Sequence, residues 1–268
     1  DILSRPPPTV EAVTSPLRFD PGAINSIETC RILAETLGPD FRVYEDAEQG
    51  PMLERSHANG AHRWSMSDAA AGRLDGAGGV LQKSVVKTKE LHGQIVACTK
   101  CELRQSCKAP VPFDVGHLNI MLVAEAPGRD EDRSGHPLVG QAGDLLWHAL
   151  DQMGFKRSDF HVTNVVKCRP PKNAKPTAEQ VSVCDWLDKE MRLVRPKLIL
   201  ALGNTALQYF TGLEKGIMAK TGTTEWHPKH RAWISYGMHP ASVLWHDSND
   251  KLFGRGLEEF ARMVRQFC

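Results

Sequence analysis

Apolar and polar positions fall into two textures along the chain. From residue 94 onward, short apolar runs alternate with stretches whose apolar residues recur three and four apart. Residues 118–124 form one such run, ended by the breaker Glu125-Ala-Pro-Gly128, and residues 160–166, 197–202 and 232–238 form three more. Runs this short, bounded by Gly or Pro, predict buried strands. Between them the spacing changes. Leu145, Leu146, Ala149, Leu150 and Met153 predict a helix over 141–154. Val181, Cys184, Leu187, Met191 and Val194 predict another from about residue 177, with Cys184 facing inward and Thr177 and Gln180 as its capping box. Gly203 opens a third helix that runs through Phe210. A stripe of Phe253, Leu257, Phe260, Ala261 and Val264 predicts a last one over 252–264.

Such alternation predicts an α/β fold: three α/β/α layers around a four-stranded, mainly parallel sheet, spanning residues 94–268. Residues 1–93 read as an N-terminal appendage of unknown fold. Pro6-Pro7-Pro8 suggests an extended arm over 1–20, a partial apolar stripe predicts a helix over 22–37, and Gly, Ala and Ser over 48–80 predict mostly loop with a short helix near 67–74. No apolar run is long enough to cross a bilayer, and the N-terminus lacks the basic-then-apolar pattern of a secretory leader. The expectation is a monomer in the interior (the cytoplasm) of a prokaryotic cell, with no membrane partner.

Hydrophobic residues at 41% and charged residues at 24% exclude wholesale disorder and collagen-like repeats. The net charge of +1 is uneven: residues 98–268 hold 23 Lys and Arg against 19 Asp and Glu, a surplus of +4. That surplus favours a polyanion as partner, and Lys167, Arg169, Lys172 and Lys175 form a basic cluster suited to phosphates. Of the seven cysteines, Cys98 and Cys101 stand out, because two thiolates at this spacing can chelate one metal centre from a tight turn. Zinc and an iron–sulfur cluster both suit a four-cysteine site.

Ligands of parallel sheets bind beyond the carboxyl ends of the strands. Glu125 follows the first predicted strand, Asn164 lies near the end of the second and His239 follows the fourth, so a carboxylate, an amide and an imidazole are expected to meet in one crevice. An Asn amide carries both a donor and an acceptor and so matches O4 and N3–H of uracil, whereas cytosine inverts the pattern. A His beside O2 could stabilise charge on a departing base, and Glu125 or Asn173 could hold the attacking water. Each of these residues also has an ordinary structural reading: a helix cap for Glu125, a turn for Asn164 and a buried core position for His239.

Several ordered blocks carry a resemblance. They are Cys98-Thr-Lys-Cys101, Ala124-Glu-Ala-Pro-Gly128, Gly135-His-Pro-Leu-Val-Gly-Gln-Ala-Gly143, Thr163-Asn-Val-Val-Lys-Cys-Arg-Pro-Pro171 with Asn173, Cys184, and Met238-His-Pro240. Over roughly the last 170 residues the chain resembles the uracil-DNA glycosylase superfamily, most of all its family-four enzymes, which carry a [4Fe–4S] cluster. The resemblance implies that Cys98, Cys101, Cys168 and Cys184 ligate the cluster. It places Glu125 near the water and base, Asn164 on the base edge, Asn173 near the reacting sugar, Glu131 by the C5 edge and His239 on the leaving base. Two positions depart from the family pattern: Ala124 replaces a usual Gly, and Leu138 replaces a Phe that stacks on the flipped base.

The function expected is that of a monofunctional DNA glycosylase. It would hydrolyse the N-glycosidic bond of a flipped pyrimidine, uracil or a modified one, and leave an abasic site. One alternative is excision of a bulky modified base from phage DNA, an antiviral activity motivated by Leu138 and by the N-terminal appendage. Another, of a different class, is a non-catalytic iron–sulfur or zinc protein that binds nucleic acid.

Overall fold

The computed structural model describes residues 41–46, 50–57, 60–65, 78–116 and 118–267. Contacts divide the chain into two units at Leu91. In the first, strands β1 (Phe41–Asp46), β2 (Gly50–His57) and β3 (Gly60–Ser65) form an antiparallel sheet. This corrects the loop expected over 48–80. The ordering signal is a cross-strand one: Val43, Leu53 and Trp64 fall in one register row, and Arg42, Glu54 and Arg63 in the next. Such pairs stabilise a sheet, but they are scattered along the sequence. The arm over 1–20 and the helices expected at 22–37 and 67–74 lie outside the described residues. Helix α1 (Gly78–Val96) was not anticipated either. Its last turns bury Leu91 and Ile95.

The second unit holds α2 (Leu103–Ser106), β4 (Ile120–Ala124), α3 (Arg129–Ser134), α4 (Gly140–Gln152), β5 (His161–Asn164), α5 (Ala178–Val183), α6 (Trp186–Val194), β6 (Leu198–Leu202), α7 (Gly203–Thr211), α8 (Ile217–Lys220), β7 (Thr224–His227), β8 (Ala232–Gly237), α9 (Pro240–Trp245) and α10 (Asp250–Phe267). The sheet order is β5-β4-β6-β8-β7. All neighbours run parallel except β7 and β8. Every residue of β4 and β6 is buried, as continuous apolar runs require when both faces of a sheet are covered. Helix α10 packs Phe253, Leu257, Phe260 and Val264 into this core.

Three expectations change. The sheet has five strands, not four. β7 escaped notice because Thr-Glu-Trp-His carries no apolar run, and a polar edge strand needs only one partner; it is held by Thr224, whose hydroxyl meets Ser235 Oγ at 2.8 Å. β5 ends at Asn164, although Val165 and Val166 continue to donate backbone bonds to Ala124 and Glu125. Finally, the helix expected from residue 177 is two. Thr177 and Gln180 do form the capping box, with bonds of 3.2 and 2.9 Å, but the chain breaks at Cys184 and restarts at Trp186. Among the described residues no helix is long and apolar enough to cross a membrane.

Candidate functional site

The sheet order brings the expected residues to one edge. Read across the carboxyl ends, Asn164 closes β5, Glu125 follows β4, Gly203 follows β6, and His239 stands two residues past β8. Neighbouring strands are about 4.8 Å apart, so β5 and β8 lie about 14 Å from each other. Two side chains with a pyrimidine ring between them span that distance.

Asn164 is 2% exposed, and its Nδ2 has no hydrogen-bond partner among the described residues. A buried amide nitrogen without an acceptor costs about 1–3 kcal/mol, so the position is one a ligand acceptor would relieve. Glu125 is partly buried and accepts a hydrogen bond from the hydroxyl of Thr205, a buried residue in the first turn of α7. That bond fixes one carboxylate oxygen and leaves the other to act. Sequence reasoning passed over Thr205, since a single Thr inside a helix carries no signal until the strand before it is placed.

His239 caps α9. The Ala241 N–H donates to its Nδ1 at 3.2 Å, which puts the ring proton on Nε2 as a donor. Burial lowers its pKa to about 4. The sign follows from linkage. The folded pKa lies below the unfolded value of about 6.5, so the stability tied to the neutral ring is complete above pH 6.5 and is lost as pH falls towards 4. The imidazole resonances of His239 should therefore show no titration between pH 8 and about 5.5 in a two-dimensional NMR experiment; a midpoint near 6.5 would contradict the assignment. Gly203 packs against this ring: at φ +85°, a Cβ there would lie 3.1 Å from the His239 Cβ, so glycine meets both the left-handed backbone and the close approach.

The loop between β4 and α4 supplies two more of the expected residues. Glu131 accepts from Gly128 N–H at 2.9 Å, and burial raises its carboxyl pKa. A side chain at Gly128 would run into that carboxylate at 2.7 Å. Leu138 is buried and adopts φ 51°, a left-handed conformation unusual for a residue with a Cβ. Its carbonyl accepts from Trp147 Nε1 at 2.8 Å and from Arg157 Nη1 at 2.9 Å. Arg157 is itself paired with Asp114 at 2.6 Å and lies over the Trp147 ring at 4.7 Å. None of these clamping residues is marked in the sequence.

The basic cluster divides. Lys172 and Lys175 are exposed, and Arg169 donates its Nε to Asn173 Oδ1 at 2.7 Å. Asn173 is exposed on a tight turn, where it and Lys172 both have positive φ, and its bond is to Arg169 of the basic cluster rather than to Glu125, Asn164 or His239. Lys167 is a correction. It is 1% exposed, and its Nζ pairs with Glu190 Oε2 at 2.7 Å. Its charge is spent inside the core and does not reach a phosphate. Removing one partner of such a pair costs about 3–5 kcal/mol.

Cys98, Cys101, Cys168 and Cys184 line a single recess, together with Leu103, Pro110, Val166 and Trp186. The break between α5 and α6 puts Cys184 at this recess rather than on a continuous helix. Burial raises the thiol pKa of both Cys168 and Cys184; for Cys168 the neighbouring Cys107 adds to it, and for Cys184 the Lys167 charge opposes it. Among the described residues no three His, Cys, Asp or Glu side chains surround one point as a single bound ion requires. The donor set at the recess is four thiols, the chemistry that both a [4Fe–4S] cluster and a zinc ion take.

A sequence model of the uracil DNA glycosylase superfamily matches residues 112–265. The type-4 uracil-DNA glycosylase of Archaeoglobus fulgidus is 40% identical over 164 residues, covering 57% of this chain and 80% of that protein. That of Sulfurisphaera tokodaii is 33% identical over 194 residues, covering 69% of this chain and 85% of the relative. A type-5 uracil-DNA glycosylase from Pyrobaculum aerophilum is 36% identical over 115 residues, 36% of this chain and 50% of its own. With more than half its length matched, and with Glu125, Asn164 and His239 on one sheet edge, the chain belongs to the uracil DNA glycosylase superfamily.

Proposed function

We propose that this protein is a monofunctional DNA glycosylase that removes uracil from DNA. The observation that carries this reading is the buried Asn164 Nδ2, which lacks an acceptor and sits on the sheet edge that also holds His239. A uracil turned out of the helix gives O4 to that nitrogen and N3–H to the amide oxygen; cytosine presents the opposite pair. The Nε2–H of His239 donates to O2 as the bond from C1′ to N1 breaks and the base departs with the electron pair. Glu125, steadied by Thr205, holds the water whose oxygen forms the new bond to C1′ and whose released proton ends on the departed uracil anion. The products are free uracil and an abasic site. Leu138 packs on the base, Glu131 shapes its C5 side, Asn173 borders the sugar, and Arg169, Lys172 and Lys175 contact phosphates. DNA is thus the partner.

Release of free uracil from single- and double-stranded oligonucleotides, measured by mass spectrometry, tests the reading. Tight DNA binding without base release would leave only the binding-protein alternative. A panel of bulky modified pyrimidines in the same assay tests the phage-base alternative.

The four thiols would hold a [4Fe–4S] cluster, which ties the 98–107 segment to the turn after β5 and to the break before α6. We expect purified protein to be brown and to contain about four irons per chain. Cys184→Ser should release most of the iron and lower the melting temperature. A colourless protein holding zinc and no iron would overturn the assignment.

A further inference from the structure

Lys167 carries a charge in the middle of the core, and the proposed chemistry gives it no task. Its Nζ lies 2.6 Å from Thr163 Oγ1, 2.6 Å from the backbone oxygen of Asn164 and 2.7 Å from Glu190 Oε2. Thr163 Oγ1 in turn donates to Glu190 Oε2 at 2.7 Å. An ammonium has three N–H donors, and here each meets an acceptor. Glu190 is completely buried, so the pair is screened by no water.

Stability does not account for this arrangement. A well-packed apolar pair of the same volume is commonly neutral or better than a buried ion pair, and both members of this pair are buried. What an apolar pair cannot do is hold a carbonyl. Asn164 is the last residue of β5, and the backbone bonds from Val165 and Val166 to Ala124 and Glu125 hold the chain that follows it. The Lys167 bond grips its carbonyl at that point and sets the direction in which its side chain leaves the backbone.

We infer that Lys167, anchored by Glu190, is a positioning residue for the base-reading amide of Asn164. The inference rests on the proposed role of Asn164 in reading the base. An amide displaced by about 1 Å from its reading geometry loses roughly 100-fold in rate. The phosphate contacts are on the exposed turn beyond Cys168 and are untouched by the pair.

The test compares wild type, the double variant K167M/E190M, the single variant E190Q, which leaves Lys167 without its counter-charge and should melt lower, and the control N164D. All are checked for a cooperative melting transition and assayed on matched oligonucleotides carrying uracil or cytosine. For the double variant we expect kcat on uracil to fall about 10- to 100-fold with KM unchanged, and the preference for uracil over cytosine to narrow. For E190Q, which keeps the volume and the Lys, we expect a smaller loss of the same kind. If K167M/E190M does not fold, E190Q alone decides. A folded variant with wild-type kcat and wild-type base preference would show the pair to be structural only, and the inference falls while the function stands, provided N164D is impaired. If N164D itself excises uracil at the wild-type rate, the reading of Asn164 falls and the inference with it.

Discussion

Replacing His239 with alanine should slow uracil release about 100- to 1,000-fold while leaving DNA affinity nearly intact. The magnitude is that of deleting one fixed donor aimed at a developing negative charge. The ring is prepared for that task by its surroundings. Its Nδ1 is occupied by the Ala241 N–H, so the proton stays on Nε2; burial keeps it neutral near pH 7; Gly203 fixes its approach. A neutral donor neither binds a phosphate nor holds a base by charge, so the loss should fall on the chemical step. DNA affinity comes mainly from cations against the phosphate backbone, and Arg169, Lys172 and Lys175 are unaffected. Loss of the α9 cap adds a stability cost of about 1 kcal/mol. Single-turnover release and a binding isotherm on the same oligonucleotide separate the two effects. A variant that releases uracil at the normal rate would remove His239 from the mechanism.

The second large effect is expected at Asn164. Asn164→Asp keeps the side-chain shape but exchanges the only donor for a second acceptor. Uracil O4 then faces an oxygen, and the carboxylate is buried without a cation on that side. The mismatched contact to O4, at about 1–3 kcal/mol, predicts a loss of roughly 10- to 100-fold in kcat/KM for uracil, since N3–H still meets an acceptor. The cytosine-to-uracil ratio should rise, because the exocyclic amine of cytosine offers the donor that aspartate lacks. Equal kcat/KM for Asn164→Asp and wild type would mean that the base is read elsewhere. This experiment is more discriminating than an alanine change, which removes both contacts and reports only a loss.

Much of this was legible along the chain, and the boundary has physical causes. β4 and β6 were plain because strands buried on both faces are apolar without interruption. β7 was not, since an edge strand of four mostly polar residues is stabilised by its partner and not by its own composition. β1 to β3 were hidden for a related reason: their order lies in the register between strands. Glu125, Asn164 and His239 could be picked out because strand ends are visible in sequence. Thr205, Arg157, Trp147 and Glu190 could not, because each acts through a contact with a residue 9 to 80 positions away. Lys167 was misread for the opposite reason. It stands beside exposed cations in sequence, yet two residues earlier the chain is still entering the core, and it follows the core rather than its neighbours.

The turn at Leu138 has an evolutionary consequence. Its unusual backbone is secured by bonds to the carbonyl, from Trp147 and Arg157, and neither bond depends on which side chain the residue carries. The position therefore behaves as a socket with interchangeable fittings: a ring, a branched aliphatic or a smaller group can be tried there without rebuilding the frame.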